Sequence, residues 1–433
     1  MNDELLQPPK GFKDYLQEEE ITRKKILNII ENEFINYGFT PIQTSAVENF
    51  EVLSSKFANS EETDVYKEIY FFEDKGGRKL GLRYDLTVPL GRVVASNPKT
   101  LLPYKRYEIG LVWRDGPVKT GRYREFTQCD ADIVGLENGA AEAELLAMAQ
   151  TIFKKLDIKF KIEIGNRKIL ESILKNTGVE NDKIRKTMIS LDKLKKIGFN
   201  KVEEELKQKQ IPLQTIKKIE NYSNLKGVEA LKQLKQTLKD ENGLKGLKEI
   251  EEVLNYCETL QVQNIEFNPF LARGLDYYTG TVFEIFFTDQ PITSSIAAGG
   301  RYENLIKNFG GRQLTATGIT FGLDVILEGV KKTNTKTIAK VLVIPIKNLN
   351  DSIKITQTLR ENNISTLIDY NDKGVSKNLE HASKQGIPFA IIVGSNELKE
   401  GKIVLRNLNT GEQQIITLQQ AIQQLQNLKP NEH

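Results

Sequence analysis

The stretch "LARGLDYYTGTVFEIFF", residues 271–287, reads as strand, yet it carries Arg273, Asp276 and the adjacent Tyr277 and Tyr278 where apolar residues would build a better core. A second stretch, "GRYREFTQCDADIVG" at 121–135, raises the same question. Strand alternation puts Arg122, Arg124, Phe126, Gln128, Asp130 and Asp132 on one face. Tyr123, Glu125, Thr127, Cys129, Ala131 and Ile133 fall on the other, and the last four suit packing against helices. The first face is too charged for a dry core, because buried charge is costly unless paired. Alone, it fits a solvated strand laced with salt bridges. A phenylalanine among arginines and acids favours a ligand cleft, its ring stacking on a flat base beside a cationic clamp. Arg114 ends the preceding strand-like run and Arg273 comes from a third. Arginines converging from three segments suit a polyphosphate, which the guanidinium fork binds bidentately.

Several chemistries are excluded. There is no G-x-x-x-x-G-K-[ST] loop, and "AAGGRYENL" and "NFGGRQ" lack the dinucleotide-binding spacing, so a nucleotide is expected on an antiparallel sheet and not at a helix N-terminus. The two histidines are His381, in a polar helix-like stretch, and His433. A zinc centre or a Ser-His-Asp hydrolase has little to build on. Cys129 and Cys257 are the two cysteines, too few for a disulfide framework and consistent with a reducing cytoplasm. No apolar run of about 18 residues implies a membrane span, and the start, "MNDELLQPPKG", lacks the apolar stretch of a secretory signal. Hydrophobic residues make up 39% and charged residues 27%, as in a globular chain with ample core. The net charge of +3 comes from a basic excess in two segments, 171–260 and 338–433. Contact with a polyanion or simple solubility would each explain it.

These residues need a scaffold. Residues 19–37 read as a helix, with Ile26, Ile30, Phe34 and Tyr37 on one face and Gly38 as terminator. "FTPIQTSAVE" follows as strand, then a hairpin turning at Gly76-Gly77. "YEIGLVWR" and "RYREFTQCDADIVG" are expected to be antiparallel neighbours across a short loop, followed by the helix "NGAAEAELLAMAQTIFKKL". From about 168 to 262 the chain turns Leu- and Lys-rich and reads as a helical insertion. Strand-type sequence then resumes. The expected domains are a catalytic unit at 1–330, a linker at 331–337 and an α/β domain at 338–433 with a mostly parallel sheet.

The chain resembles the class II aminoacyl-tRNA synthetases, and within them the histidyl-tRNA synthetase family. "PPKGFKDYLQEEE" with "YGFTPIQTSAVE" is similar to the N-terminus and first class motif, and "VWRDGPVKTGRYREFTQCDADIVG" to the second. "ARGLDYYTGTVFE" and "GGRYENL" resemble the two histidine-specific motifs, "TGITFGLDVIL" stands in the place of the third class motif, and the tail is similar to an anticodon-binding domain. The resemblance implies an α+β fold: an antiparallel-sheet catalytic domain with a helical insertion, plus the C-terminal α/β domain. It implies a cytoplasmic homodimer that takes L-histidine, ATP with Mg2+ as a substrate complex, and tRNA(His), with no tightly bound cofactor, resident metal or membrane.

By the same resemblance, Arg273 and Arg114 would flank the α-phosphate as catalytic cations, Arg122 would reach the outer phosphates and Phe126 would stack on adenine. Asp85, Thr87 and Gln128 would accept from the histidine amino group. Asp132 and Tyr278 would face the imidazole nitrogens, with Tyr277 close by. In a regular strand Arg273 and Tyr277 share a face and Tyr278 points away, so a bend near Thr279-Gly280 is expected.

Three positions depart from the family pattern. Val325 follows Asp324 where an arginine is usual, and Arg312 is the expected substitute. Gly116 stands where the second motif carries an acid. Ser45-Ala46 replaces a proline-containing stretch of the first motif, which lies at the dimer interface. The alternative is a catalytically silent, histidine-sensing relative, such as the ATP phosphoribosyltransferase regulatory subunit.

Overall fold

The computed structural model describes residues 6–54, 67–271, 278–331, 336–371 and 373–427. The chain divides into two units, residues 1–14 with 26–330 and residues 15–25 with 331–433. Strands of the first unit are, in chain order, β1 (Thr40–Pro41), β2 (Val47–Asn49), β3 (Phe71–Glu73), β4 (Lys79–Leu82), β5 (Tyr104–Trp113), β6 (Glu125–Val134), β7 (Phe160–Asn166), β8 (Ile265–Phe267), β9 (Thr281–Phe287), β10 (Ala297–Tyr302) and β11 (Ala316–Gly322). Eight of them form one sheet in the order β1-β5-β6-β11-β10-β9-β7-β8. Every pairing from β5 to β7 is antiparallel. The two edge pairs, β1 with β5 and β7 with β8, are parallel, which refines the antiparallel sheet expected.

Period-2 alternation separates the two faces of this sheet. One is apolar: Cys129, Ala131 and Ile133 of β6, Ile319 and Phe321 of β11, Phe283 and Ile285 of β9 and Ile162 and Ile164 of β7 are all buried. Phe153, from the helix Ala140–Lys155, packs on Phe321 with ring centroids 5.7 Å apart, and Phe34, from the helix Gln17–Asn36, lies 5.8 Å from the same ring. The opposite face carries the candidate site.

The hairpin of β3 and β4 turns through Gly77, whose φ of +74° suits a residue without Cβ. Parallel strands cannot be joined by a tight turn. Six helices, Arg167–Thr177, Ile184–Leu191, Leu194–Gln208, Leu213–Ser223, Gly227–Thr237 and Glu241–Thr259, therefore form the crossover between β7 and β8. In the run 271–287, the strand begins only at Thr281, so Tyr278 to Gly280 lie outside it. Arg273 and Tyr277 fall outside the described residues.

The second unit holds a five-stranded sheet of β12 (Val341–Pro345), β13 (Thr366–Ile368), β14 (Phe389–Val393), β15 (Lys402–Asn407) and β16 (Gln413–Thr417), in the order β13-β12-β14-β15-β16. β13, β12 and β14 are parallel, as the strand–helix alternation predicts, but β15 and β16 are antiparallel. The connections before and between them are too short for a crossover helix that spans the sheet. The glutamine-rich end is a helix, Leu418–Gln426, whose start is closed by a capping box of Thr417 and Gln420. No described helix is long and apolar enough to cross a membrane.

Candidate active site

Register decides which side chains meet on the polar face. Asp132 of β6 stands opposite Arg106 of β5 and Gly318 of β11, and Asp130 stands opposite Glu108 and Thr320. Gln128 stands opposite Gly110 and Gly322, and Phe126 opposite Val112. Of the face read from sequence, Phe126, Gln128, Asp130 and Asp132 lie in the strand. Arg122 and Arg124 do not, because β6 begins at Glu125. Arg124 serves the loop instead: its Nη2 lies 3.1 Å from Asp115 and its Nε donates to the Gly116 carbonyl. Arg122 is partly exposed, 3.6 Å from Glu68.

Two buried charge clusters form the floor. Arg106, 0% exposed, places Nη2 2.7 Å from Asp132 Oδ2 and donates from the same nitrogen to the Leu86 carbonyl at 3.3 Å. The Tyr302 hydroxyl donates to Asp132 Oδ1 at 2.7 Å. Beside them, Arg83 Nη1 contacts Glu108 Oε1 at 2.8 Å and donates to the Thr44 carbonyl, while the Thr44 amide donates to the same carboxylate. Close approach requires glycine at two places. A Cβ on Gly318 would sit 2.0 Å from Asp132 Oδ1, and one on Gly110 would sit 2.4 Å from Arg83 Nη2.

Burial pushes the Asp132 carboxyl above its usual range, and Arg106 and the Tyr302 hydroxyl pull against that rise. Asp130 is pushed up to about 8 by burial, against the pull of Arg106 and with a further push from Asp132. Burial also raises Tyr302 well above the phenol range, as does the Asp132 charge. Gln128 donates to the Thr320 hydroxyl at 3.2 Å. Its Oε1 and Asp130 Oδ1 are buried acceptors with no donor among the described residues, as a site for an amino group requires.

Asp85 and Thr87 approach from above. Asp85 Oδ1 accepts from the Val88 amide at 2.9 Å, tying the carboxylate to the start of the helix Thr87–Ser96. Thr87 is half-buried at that helix start. Tyr278 is 6% exposed and its ring lies 3.0 Å from where a Cβ on Gly300 would be, on the same sheet face as Gly318 and Asp132. Towards the far end of β6, the Arg114 guanidinium sits 5.2 Å from the Phe126 ring centroid, and its Nε donates to the Tyr84 carbonyl. Asp324 Oδ2 accepts from the Thr127 amide, while Val325 lies against Gly121 and Gly322. Arg312 is exposed.

Tyr302 and Arg106 were not singled out from sequence. Both carried a signal: Arg106 alternates with Glu108 and Gly110 in "YKRYEIGLVW", and Tyr302 alternates with Gly300 in "AAGGRY". The neighbouring Arg301 faces the other way, bound by two 2.6 Å contacts to Glu142.

An antiparallel sheet of this order, with acids and amides at one end of a central strand and an arginine–aromatic pair at the other, defines the catalytic domain of a class II aminoacyl-tRNA synthetase. A model of the histidyl-tRNA synthetase family matches residues 11–326, and one of an anticodon binding domain matches residues 340–428. Histidine--tRNA ligase 1 of Bacillus cereus is 41% identical over 411 residues, 93% of this chain and 96% of that protein. The crystal structure of histidyl-tRNA synthetase from Nostoc sp. PCC 7120 superposes with a TM-score of 0.86 at 30% identity, covering 97% of this chain and 98% of that one. An ATP phosphoribosyltransferase regulatory subunit/histidyl-tRNA synthetase from Bacillus halodurans shares the fold, at a TM-score of 0.75 and 21% identity over 90% of this chain and 99% of that one. The chain belongs to the histidyl-tRNA synthetase family.

Proposed function

We propose that the chain is a histidine--tRNA ligase that joins L-histidine to ATP, releasing pyrophosphate, and passes the histidyl group of the adenylate to the 3′ end of tRNA(His). One observation carries this reading: buried acceptors suited to an amine and an imidazole share a sheet face with a cation stacked on an aromatic ring.

In this reading Asp85, Thr87 and Gln128 receive the ammonium, and Asp132, Tyr278 and Tyr277 read the imidazole. That leaves the carboxylate directed toward Arg114. Its oxygen attacks the α-phosphorus as the bond to the bridging oxygen of pyrophosphate breaks. Negative charge grows on the phosphoryl oxygens, so Arg114 and Arg273 stabilise the transition state more than the ground state. Phe126 stacks on adenine, and Arg122 holds the outer phosphates together with Mg2+ that arrives on ATP. Arg312 fills the place left by Val325. If Arg312→Ala leaves the KM for ATP and turnover unchanged, that assignment is wrong. The helical insertion and the C-terminal domain hold tRNA through phosphate contacts, and two chains form a dimer working in the cytoplasm.

Histidine-dependent exchange of labelled pyrophosphate into ATP tests the reading, because exchange requires a reversible adenylate. Exchange is expected from the chain alone with ATP, Mg2+ and histidine. Histidine binding without exchange would instead make the chain a histidine sensor. Replacing Arg114 or Arg273 by glutamine is expected to lower the exchange rate by about 10²–10³-fold, the loss typical of one electrostatic donor at a transition state.

A further inference from the structure

Arg106 has no place in the assignments above, yet it is the most completely enclosed charge beneath the site. Burying a guanidinium costs several kcal/mol unless it is paired, and apolar residues of similar volume commonly stabilise a fold as well or better. Its position in mid-strand therefore calls for a reason beyond packing. The geometry supplies one. A single nitrogen, Nη2, lies 2.7 Å from Asp132 Oδ2 and donates to the carbonyl of Leu86. Leu86 is the residue between Asp85 and Thr87. Arg106 thus spans the acid assigned to the imidazole and the segment assigned to the ammonium.

We propose that Arg106 is a positioning residue for histidine recognition, keeping the Asp132 carboxylate charged and fixed relative to the Asp85–Thr87 segment. The proposal rests on the reading that Asp132 receives an imidazole N–H. Two groups hold Asp132 from behind, Arg106 at Oδ2 and the Tyr302 hydroxyl at Oδ1. As a donor, Tyr302 leaves Asp132 an acceptor, and a carboxylate carries more lone pairs than these two contacts use. The other titratable groups facing Asp132 are Glu108 from β5, Asp130 from β6 and Asp85 from the loop before the helix Thr87–Ser96. All three are acids, and the charges of Asp85 and Glu108 disfavour a further negative charge on Asp132. Tyr278 faces Tyr302 on the same side. Arg106 is the cation among these described groups, so without it burial and the neighbouring acids push Asp132 further towards its protonated form, a weaker acceptor for a ring N–H.

The test compares Arg106→Met, Arg106→Lys and Asp132→Asn in pyrophosphate exchange between pH 6 and 9. Each KM is expressed as a ratio to the parent at the same pH, so that titration of the histidine substrate cancels. Arg106→Met is expected to raise the KM for histidine at least tenfold at pH 7 while the KM for ATP stays within twofold. The histidine ratio should fall as pH rises and Asp132 ionises. Arg106→Lys keeps the charge and is expected to give a pH-independent ratio at least threefold below that of the Met variant. It also serves as the test if Arg106→Met fails to fold. The proposal is overturned if the KM values for histidine and ATP rise together, if the Met ratio is flat with pH, or if Lys does no better than Met. Asp132→Asn separates the two layers. An unchanged KM for histidine in that variant sinks the assignment of Asp132 itself. A raised KM there, with none in Arg106→Met, sinks only the role of Arg106.

Discussion

Gly318 and Asp130 expose the constraints at the scale of single residues. A methyl group on Gly318 cannot coexist with Asp132 in its observed position, since the two would be 2.0 Å apart. Gly318→Ala is therefore expected to push the carboxylate aside and raise the KM for histidine by about 10–100-fold, the cost of one to two misplaced buried hydrogen bonds. The KM for ATP should hold, and steady-state exchange at varied histidine and ATP separates the two. Asp130 makes a prediction about stability. Its carboxyl is lifted to about 8, so the folded state keeps a proton that the unfolded chain gives up near pH 4. The contribution of Asp130 is thus most favourable below about pH 4 and is lost progressively up to about pH 8. Asp130→Asn cannot ionise. Urea titrations should show the variant gaining on the parent as pH rises through that window and levelling off above it.

Elements bring these residues together, and here the sequence is informative only in part. Alternation within β6 could be read directly, because a strand has period 2 whatever lies beside it. That was enough to put Phe126, Gln128, Asp130 and Asp132 on one face. Arg106, Tyr302 and Gly318 reach that face only through the register of β5, β10 and β11, and register is set by pairing that no single segment encodes. The break at Glu125, which sends Arg124 to Asp115, was invisible for the same reason. The insertion was legible as Leu- and Lys-rich helices, but not its attachment to the sheet. Glu163 of β7 receives Lys195 from the helix Leu194–Gln208 at 2.5 Å, Lys161 at 3.0 Å and the Asn268 amide at 2.9 Å. Burial alone would raise this carboxyl, but the hydrogen bonds from Lys195, Asn268 and Lys161 win and bring it to about 2. A depressed carboxyl stabilises the fold above its unfolded value of about 4.3 and loses that contribution as pH falls towards 2. Glu163→Gln should cost about 1–2 kcal/mol at pH 7, discounted because both lysines are half exposed, and almost nothing near pH 2. Denaturant unfolding at the two pH values checks it.

The whole molecule joins a chemistry-bearing sheet to segments with a basic excess, and the proposed RNA partner makes that division testable. If the insertion and the C-terminal domain grip tRNA by its phosphates, the logarithm of affinity should fall linearly with the logarithm of salt concentration. A slope near zero in filter binding would contradict phosphate-dominated contact. Sedimentation should give twice the chain mass of 49.1 kDa if the proposed dimer forms. The central claim is narrower: one sheet face both recognises histidine and activates its carboxylate. Its most direct test is pyrophosphate exchange with histidine against phenylalanine, which is similar in shape and lacks both ring nitrogens. A pocket that hydrogen-bonds those nitrogens should favour histidine in kcat/KM by about 10⁴-fold or more. Exchange that runs equally well with phenylalanine, or not at all with histidine, would contradict the account.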